Sequence, residues 1–151
     1  MFTTFVIKEK IPRIILGMKI LGIEHIGIAL KSKKDKYFWD ILLGGIDKTI
    51  DIVKDLGVKT EIYDTKKGKV EFLEALDKNS VIAKFLEKRG PGVHHISFEV
   101  ENIEDAIDEM HHKGIDTVTE GFTIGAEGFK VVFVHPRYTG GILVELTQRQ
   151  V

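Results

Sequence analysis

Two stretches of the chain alternate apolar and polar positions, and they echo each other. In LGIEHIGIAL, Leu21 to Leu30, His25, Gly27 and Ala29 fall on one face of a strand and Ile26, Ile28 and Leu30 on the other. In GPGVHHISFEV, Gly90 to Val100, a Gly-Pro-Gly turn leads into a strand. Its two faces carry Val93, His95, Ser97 and Glu99 on one side, and His94, Ile96, Phe98 and Val100 on the other. Two later strands echo each other as well. KVEFLEAL (Lys69 to Leu76) sets Glu71 and Leu73 against Val70 and Phe72, and GILVELTQ (Gly141 to Gln148) sets Leu143, Glu145 and Thr147 against Ile142, Val144 and Leu146. Each half of the chain therefore offers one His and then one Glu, at nearly equal spacing, which marks an internal repeat.

The remaining pattern fills in two modules of the order β-α-β-β-β. The first has a strand over Lys19–Leu30 and a helix capped by Ser32, with Phe38, Ile41 and Leu42 at helical spacing and an end at Gly44-Gly45. Strands over Asp47–Val53, Val58–Asp64 and Lys69–Leu76 complete it. DKNSVIAKFLEKR (77–89) predicts a connecting helix at about 79–88, with Val81, Ile82, Phe85 and Leu86 inward. The second module repeats the order. It has a strand over Val93–Val100 and a helix opened by Asn102 or Glu101, with Ile103, Ala106, Ile107 and Met110 on one stripe. Short strands follow near Asp116–Thr119, Lys130–His135 and Gly141–Thr147, and the Gly-rich piece 120–128 reads as a loop, either an ordinary connection or a cover over a ligand. The expected division is an extension at 1–17, a first module at 18–76, a connection at 77–91 and a second module at 92–151. The fold class expected is α+β: two paired βαβββ modules whose helices cover one side of a curved sheet and leave a cup on the other. His25, Glu71, His95 and Glu145 all project into that cup.

Composition narrows the function classes. The chain has 22 basic and 23 acidic residues, a net charge of −1, which argues against a nucleic-acid coat. It has no cysteine, so neither a disulfide framework nor a thiolate metal site is available. No apolar run reaches the ~18 residues of a membrane span. The opening MFTTFVIKEKIPRIILG has basic residues among its apolar ones and no small-residue cleavage pattern, so it is a poor signal peptide and reads as an extension or a misassigned start. A cytoplasmic protein is the default expectation.

Two imidazoles and two carboxylates form a mixed nitrogen and oxygen donor set. That set suits a divalent ion such as Co, Ni, Mn, Zn or Mg with positions left for water or substrate. The alternative is four half-buried polar residues that satisfy one another, but two neighbouring buried carboxylates without a cation would raise one pKa strongly. Other polar residues read as ordinary: His111 and His112 as solvated helix surface, His94 as a residue packed on the helix side, and KSKKDK as a solvated face, with a phosphate contact as its alternative.

At this point the sequence resembles the methylmalonyl-CoA epimerases, a branch of the vicinal oxygen chelate (glyoxalase-like) superfamily. The resemblance covers about residues 18 to 148 and is carried by HIGIA (25–29), EFLEAL with DKNSVIAKFLEKRGPGVHHI (71–96), and FVHPRYTGGILVELTQ (133–148). It implies metal ligands at His25, Glu71, His95 and Glu145. Glu71 stands where epimerases often have Gln, and His-Glu-His-Glu is also the set of nickel-type glyoxalase I enzymes. The resemblance further implies two acid/base residues, Glu145 and a glutamate of the third strand that Glu61 matches. The implied reaction is interconversion of (R)- and (S)-methylmalonyl-CoA through a metal-stabilised enolate, by a protein that is a homodimer in its relatives. The alternatives are a lyase acting on a glutathione hemithioacetal and a metal-free small-molecule binding protein of the same fold.

Overall fold

The computed structural model describes residues 18–150; the expected extension at 1–17 lies outside the described residues. Among the described residues eight strands form one sheet. They are β1 (Ile20–Ala29), β2 (Lys48–Val53), β3 (Val58–Asp64), β4 (Lys69–Ala75), β5 (Gly92–Val100), β6 (Thr123–Ile124), β7 (Lys130–Val134) and β8 (Val144–Gln148). Among the described residues three α-helices, α1 (Lys33–Leu43), α2 (Val81–Arg89) and α3 (Ile103–His112), complete the α+β architecture. The strand order is β2-β3-β4-β1-β5-β8-β7-β6. The central pair β1 and β5 is antiparallel, and each has its own module's last strand, β4 or β8, parallel on its outer side. The repeat seen in the sequence thus becomes a near-symmetry of the sheet about its middle. Among the described residues no helix is long and apolar enough to cross a membrane.

Helix ends follow local chemistry. Ser32 and Asp35 form a reciprocal capping box at the start of α1, and Ser80 and Asn102 cap α2 and α3 through their side-chain oxygens. The stripe Ile103, Ala106, Ile107 and Met110 of α3 packs on Val100, Val132, Val134 and Leu146 of the sheet. Fully burying a side chain such as Ile103 contributes about 2–3 kcal/mol. On α1 the inward pair is Trp39 and Leu43, which meet Ile28, Tyr63 and Phe72. Phe38, Ile41 and Leu42, the stripe marked by sequence spacing, are 58–66% exposed. The run FWDILL carries two overlapping apolar stripes. The tilted stack of Trp39 on Phe72, with centroids 5.4 Å apart, selects the other one.

The second helix has a different position. Ile82, with Phe85 and Leu86, packs on Ala29, Val58 and Leu73, which belong to the concave side of the sheet. The connection between modules therefore plugs one end of the cup. Val81, expected inward, is 47% exposed.

The strand expected at Asp116–Thr119 is not formed as a continuous element. Thr117 makes a single bridge to Val134, and the edge strand β6 lies further on, at Thr123–Ile124 opposite Val131 and Lys130. The edge of β7 is thus paired in two fragments, with residues 119–122 bowed out between them. The piece read as a loop, 120–128, supplies the second fragment and then crosses to the first module. There the Glu127 backbone N–H donates to the Asp51 carboxylate at 2.9 Å, and Lys69 donates to the Glu127 carboxylate at 2.6 Å.

Candidate metal centre and its cavity

The four echo residues meet because of sheet register. Across β1, β5 and β8, His25, Ser97 and Glu145 lie side by side, and across β4, β1 and β5 so do Glu71, Gly27 and His95. Neighbours in register point to the same face. His25 Nε2 lies 2.8 Å from His95 Nε2, 3.3 Å from Glu71 Oε2 and 3.6 Å from Glu145 Oε1. His95 Nε2 lies 3.6 Å from Glu71 Oε2 and 4.0 Å from Glu145 Oε2. Gly27 makes this possible. A β-carbon there would stand 2.3 Å from His95 Cε1 and 2.9 Å from His95 Nε2, so the imidazole occupies the space a side chain would fill.

A β-bulge adds a fifth residue that alternation alone would place elsewhere. Ile23 pairs with Phe98 and His25 with Ser97, so Glu24 is an extra residue on β1. Its carboxylate, 3% exposed, accepts from His25 Nδ1, from Lys69 at 2.9 Å and from Arg149 at 3.2 Å. Since the Nδ1 side of His25 is held by Glu24, Nε2 is the nitrogen presented to the centre. A second irregularity sits on β5. Gly27 pairs with His95 but Ile28 with Val93, so His94 is the extra residue. It does not sit on the convex helix side where alternation placed it: the bulge turns it to the concave side, where it packs on Phe85 of α2, lines the cavity, and brings its Nδ1 to 2.9 Å from His95 Nδ1.

Electrostatics follow from burial and neighbours. Burial works against charging His25, but Glu24 first and then Glu71 and Glu145 hold it as imidazolium, pushed up to about 10. Burial, with charge on His25 adding to it, drives His95 well below its ordinary value. Burial pushes the Glu145 carboxyl up, against the pull of His25 and of the hydroxyls of Ser97 and Thr147. Cationic His25 therefore stands beside Glu145, which burial disfavours as an anion, and a divalent cation would replace that proton charge.

The donor set fits such a cation. The ligating atoms of His25, Glu71 and His95 lie within 4.8 Å of one another, and both histidines reach Glu145 within 4.0 Å. Donors bound at ~2.0–2.3 Å from one ion sit roughly 3–3.5 Å apart, so little movement is required. Two imidazoles with two carboxylates suit a borderline or hard divalent ion.

Above these residues is a cavity of about 300 Å³, walled mainly by apolar side chains of β3, β4, β7 and α2, including Val58, Leu73, Val131, Phe133 and Ile82. Among the described residues lining it, the carboxylates are Glu71 and Glu145. Glu61, the third-strand acid, is not brought here. Ile62 is in register with Glu71, and Glu61 with Phe72, so Glu61 turns to the α1 side. It lies in a nest of Lys36, Lys48 and Lys59, with Lys48 Nζ at 3.0 Å and Lys59 Nζ at 3.3 Å. The cup-facing residues of β3 are Val58, Thr60 and Ile62. The strand period of two puts neighbouring residues on opposite faces, so a one-residue difference in the loop before β3 decides which side an acid takes. Sequence reasoning passed over Glu24 and Gly27; the bulge that turns Glu24 inward has no local signal, whereas Gly27 between two large residues of a strand is one.

Comparisons agree with this geometry. A family model described as the glyoxalase/bleomycin resistance protein/dioxygenase superfamily matches residues 24–133. A human protein, "Methylmalonyl-CoA epimerase, mitochondrial", is 36% identical over 128 residues, covering 83% of this chain and 73% of its own. An "Ethylmalonyl-CoA/methylmalonyl-CoA epimerase" from Cereibacter sphaeroides is 42% identical over 96 residues, covering 62% of this chain and 72% of its own. The crystal structure of a methylmalonyl-CoA epimerase from Mycobacterium tuberculosis superimposes with a TM-score of 0.81 at 26% identity, covering 92% of this chain and 95% of that one. With its repeated modules, its concave His-Glu-His-Glu cluster and these relatives, the chain belongs to the glyoxalase/bleomycin resistance protein/dioxygenase superfamily, in the branch of the methylmalonyl-CoA epimerases.

Proposed function

We propose that this chain is an enzyme that interconverts the (R)- and (S)-epimers of methylmalonyl-CoA. The observation that carries the reading is the convergence of His25, Glu71, His95 and Glu145 at the floor of a small apolar cup, in a chain whose relatives are epimerases. His25, Glu71, His95 and Glu145 would hold a divalent ion, Co, Ni, Mn, Zn or Mg, which supplies charge stabilisation to the acyl oxygens as the α-proton leaves. The chain's own part is proton transfer and the exclusion of water. Epimerisation removes a proton from one face of the α-carbon and returns one to the other, so it is best served by a carboxylate on each side. Glu71 on β4 and Glu145 on β8 flank the central strands that carry the histidines. Glu145, whose burial raises its proton affinity, takes the part expected of it, and Glu71 takes the part expected of Glu61. The apolar wall shields a charge-separated step from bulk water.

Three further readings belong to this proposal. The ligand is a CoA thioester; the cytoplasm is the setting; and the working form is a homodimer. Phe38, Ile41 and Leu42 of α1 are an exposed apolar stripe that a pairing of copies would have reason to cover. The test is solvent exchange. Purified protein with methylmalonyl-CoA in heavy water is expected to incorporate deuterium at the α-carbon and to interconvert the epimers, and to stop when the metal is chelated. Failure to exchange, with turnover of a glutathione hemithioacetal instead, would transfer the chain to the lyase reading.

A further inference from the structure

Thr60 is 2% exposed, and among the described residues its hydroxyl oxygen has no hydrogen-bond partner. It faces the cup from β3, opposite Leu73 of β4, with Val58 and Ile62 next to it on the same face. It lines the same cavity of about 300 Å³ as Glu71, His95 and Glu145. The other buried hydroxyls of the concave face are engaged: Ser97 and Thr147 bond each other at 2.7 Å, and Thr147 donates to Glu145 at 2.7 Å. A buried hydroxyl left unpaired lowers stability, and valine would fill the same volume without that cost. A threonine set in an apolar wall above reactive carboxylates is therefore explained by a ligand that completes its bond.

We propose that Thr60 is a specificity-determining residue whose hydroxyl donates to an oxygen of the acyl group reaching the cup floor. The inference rests on the epimerase reading and adds a recognition element to it. The acceptor is the free carboxylate of a malonyl-type acyl group, because a charged oxygen is a stronger acceptor than a thioester carbonyl. A site that holds a polar ligand atom with a buried donor discriminates sharply against an analogue lacking that atom.

The test compares Thr60→Val and Thr60→Ser with the wild type, all loaded with metal, using methylmalonyl-CoA and propionyl-CoA, which lacks the free carboxylate. Without ligand, Thr60→Val is expected to melt at or above the wild-type temperature. Its affinity for methylmalonyl-CoA is expected to fall ~10-fold or more, that for propionyl-CoA to stay unchanged, and Thr60→Ser to restore most of the difference. Equal loss for both ligands, no loss for either, or a clearly lower melting temperature without ligand would overturn the proposal. A wild type that neither binds nor epimerises methylmalonyl-CoA would overturn the function reading itself, whereas wild-type epimerisation matched by Thr60→Val would overturn this proposal alone.

Discussion

Glu61→Gln separates a catalytic acid from a structural one. The structure places Glu61 outside the cup, ion-paired with Lys36, with Lys48 at 3.0 Å and with Lys59 at 3.3 Å. Burial opposes its charge, but the lysines overcome that and hold its carboxyl down at about 2, from an ordinary 4.5. That difference corresponds to roughly 3 kcal/mol of stability at neutral pH. Lys48 is 40% exposed, so solvent screening brings the expected loss in Glu61→Gln to about 1–2 kcal/mol. The sign follows from linkage. The group's affinity for a proton is lower in the folded state, so its stabilisation is fully present above pH 4.5 and is lost as the pH falls through about 2. Urea unfolding of both proteins is therefore expected to show a gap at pH 7 that shrinks by more than half by pH 3. Epimerisation at pH 7 is expected to stay within about twofold of wild type, since loss of a general base costs ~10²-fold or more. A 10²-fold slower variant with unchanged unfolding would refute the placement of Glu61 and restore it as the second base.

His95→Ala is expected to lose most bound metal and nearly all activity while keeping the wild-type circular dichroism spectrum; stoichiometric metal by elemental analysis would place the centre elsewhere. Gly27→Ala drives a β-carbon to 2.3 Å from His95 Cε1 and is expected to weaken metal binding through displacement of that ring, measured by calorimetric titration against wild type. Unchanged affinity would show that His95 binds from another rotamer. Glu24→Gln removes the carboxylate that holds His25 Nδ1, and metal affinity is expected to drop by ~10–100-fold with the ligands all present, in a competition assay with a chromophoric chelator.

Much of this molecule was legible in the chain as written. The alternation around His25 and His95, and its echo around Glu71 and Glu145, brought out the four residues of the cup, because a strand's period of two assigns faces without knowledge of partners. The α3 stripe was equally plain, since its four apolar residues have one consistent helical face. What the chain could not decide were choices between local equals. On α1 two apolar stripes compete, and only contact with Phe72 selects Trp39 and Leu43. On β3, Glu61 and Thr60 differ by one residue and by an entire face, and only register with Phe72 and Leu73 of β4 assigns them. Glu24 turns inward because β1 carries one residue more than β5 opposite it, a mismatch that exists only when the two strands pair. Periodicity is a property of the single strand, but register and bulges are properties of the pair, so the four residues that converge in the cup could be read from the sequence and the residues that orient them could not.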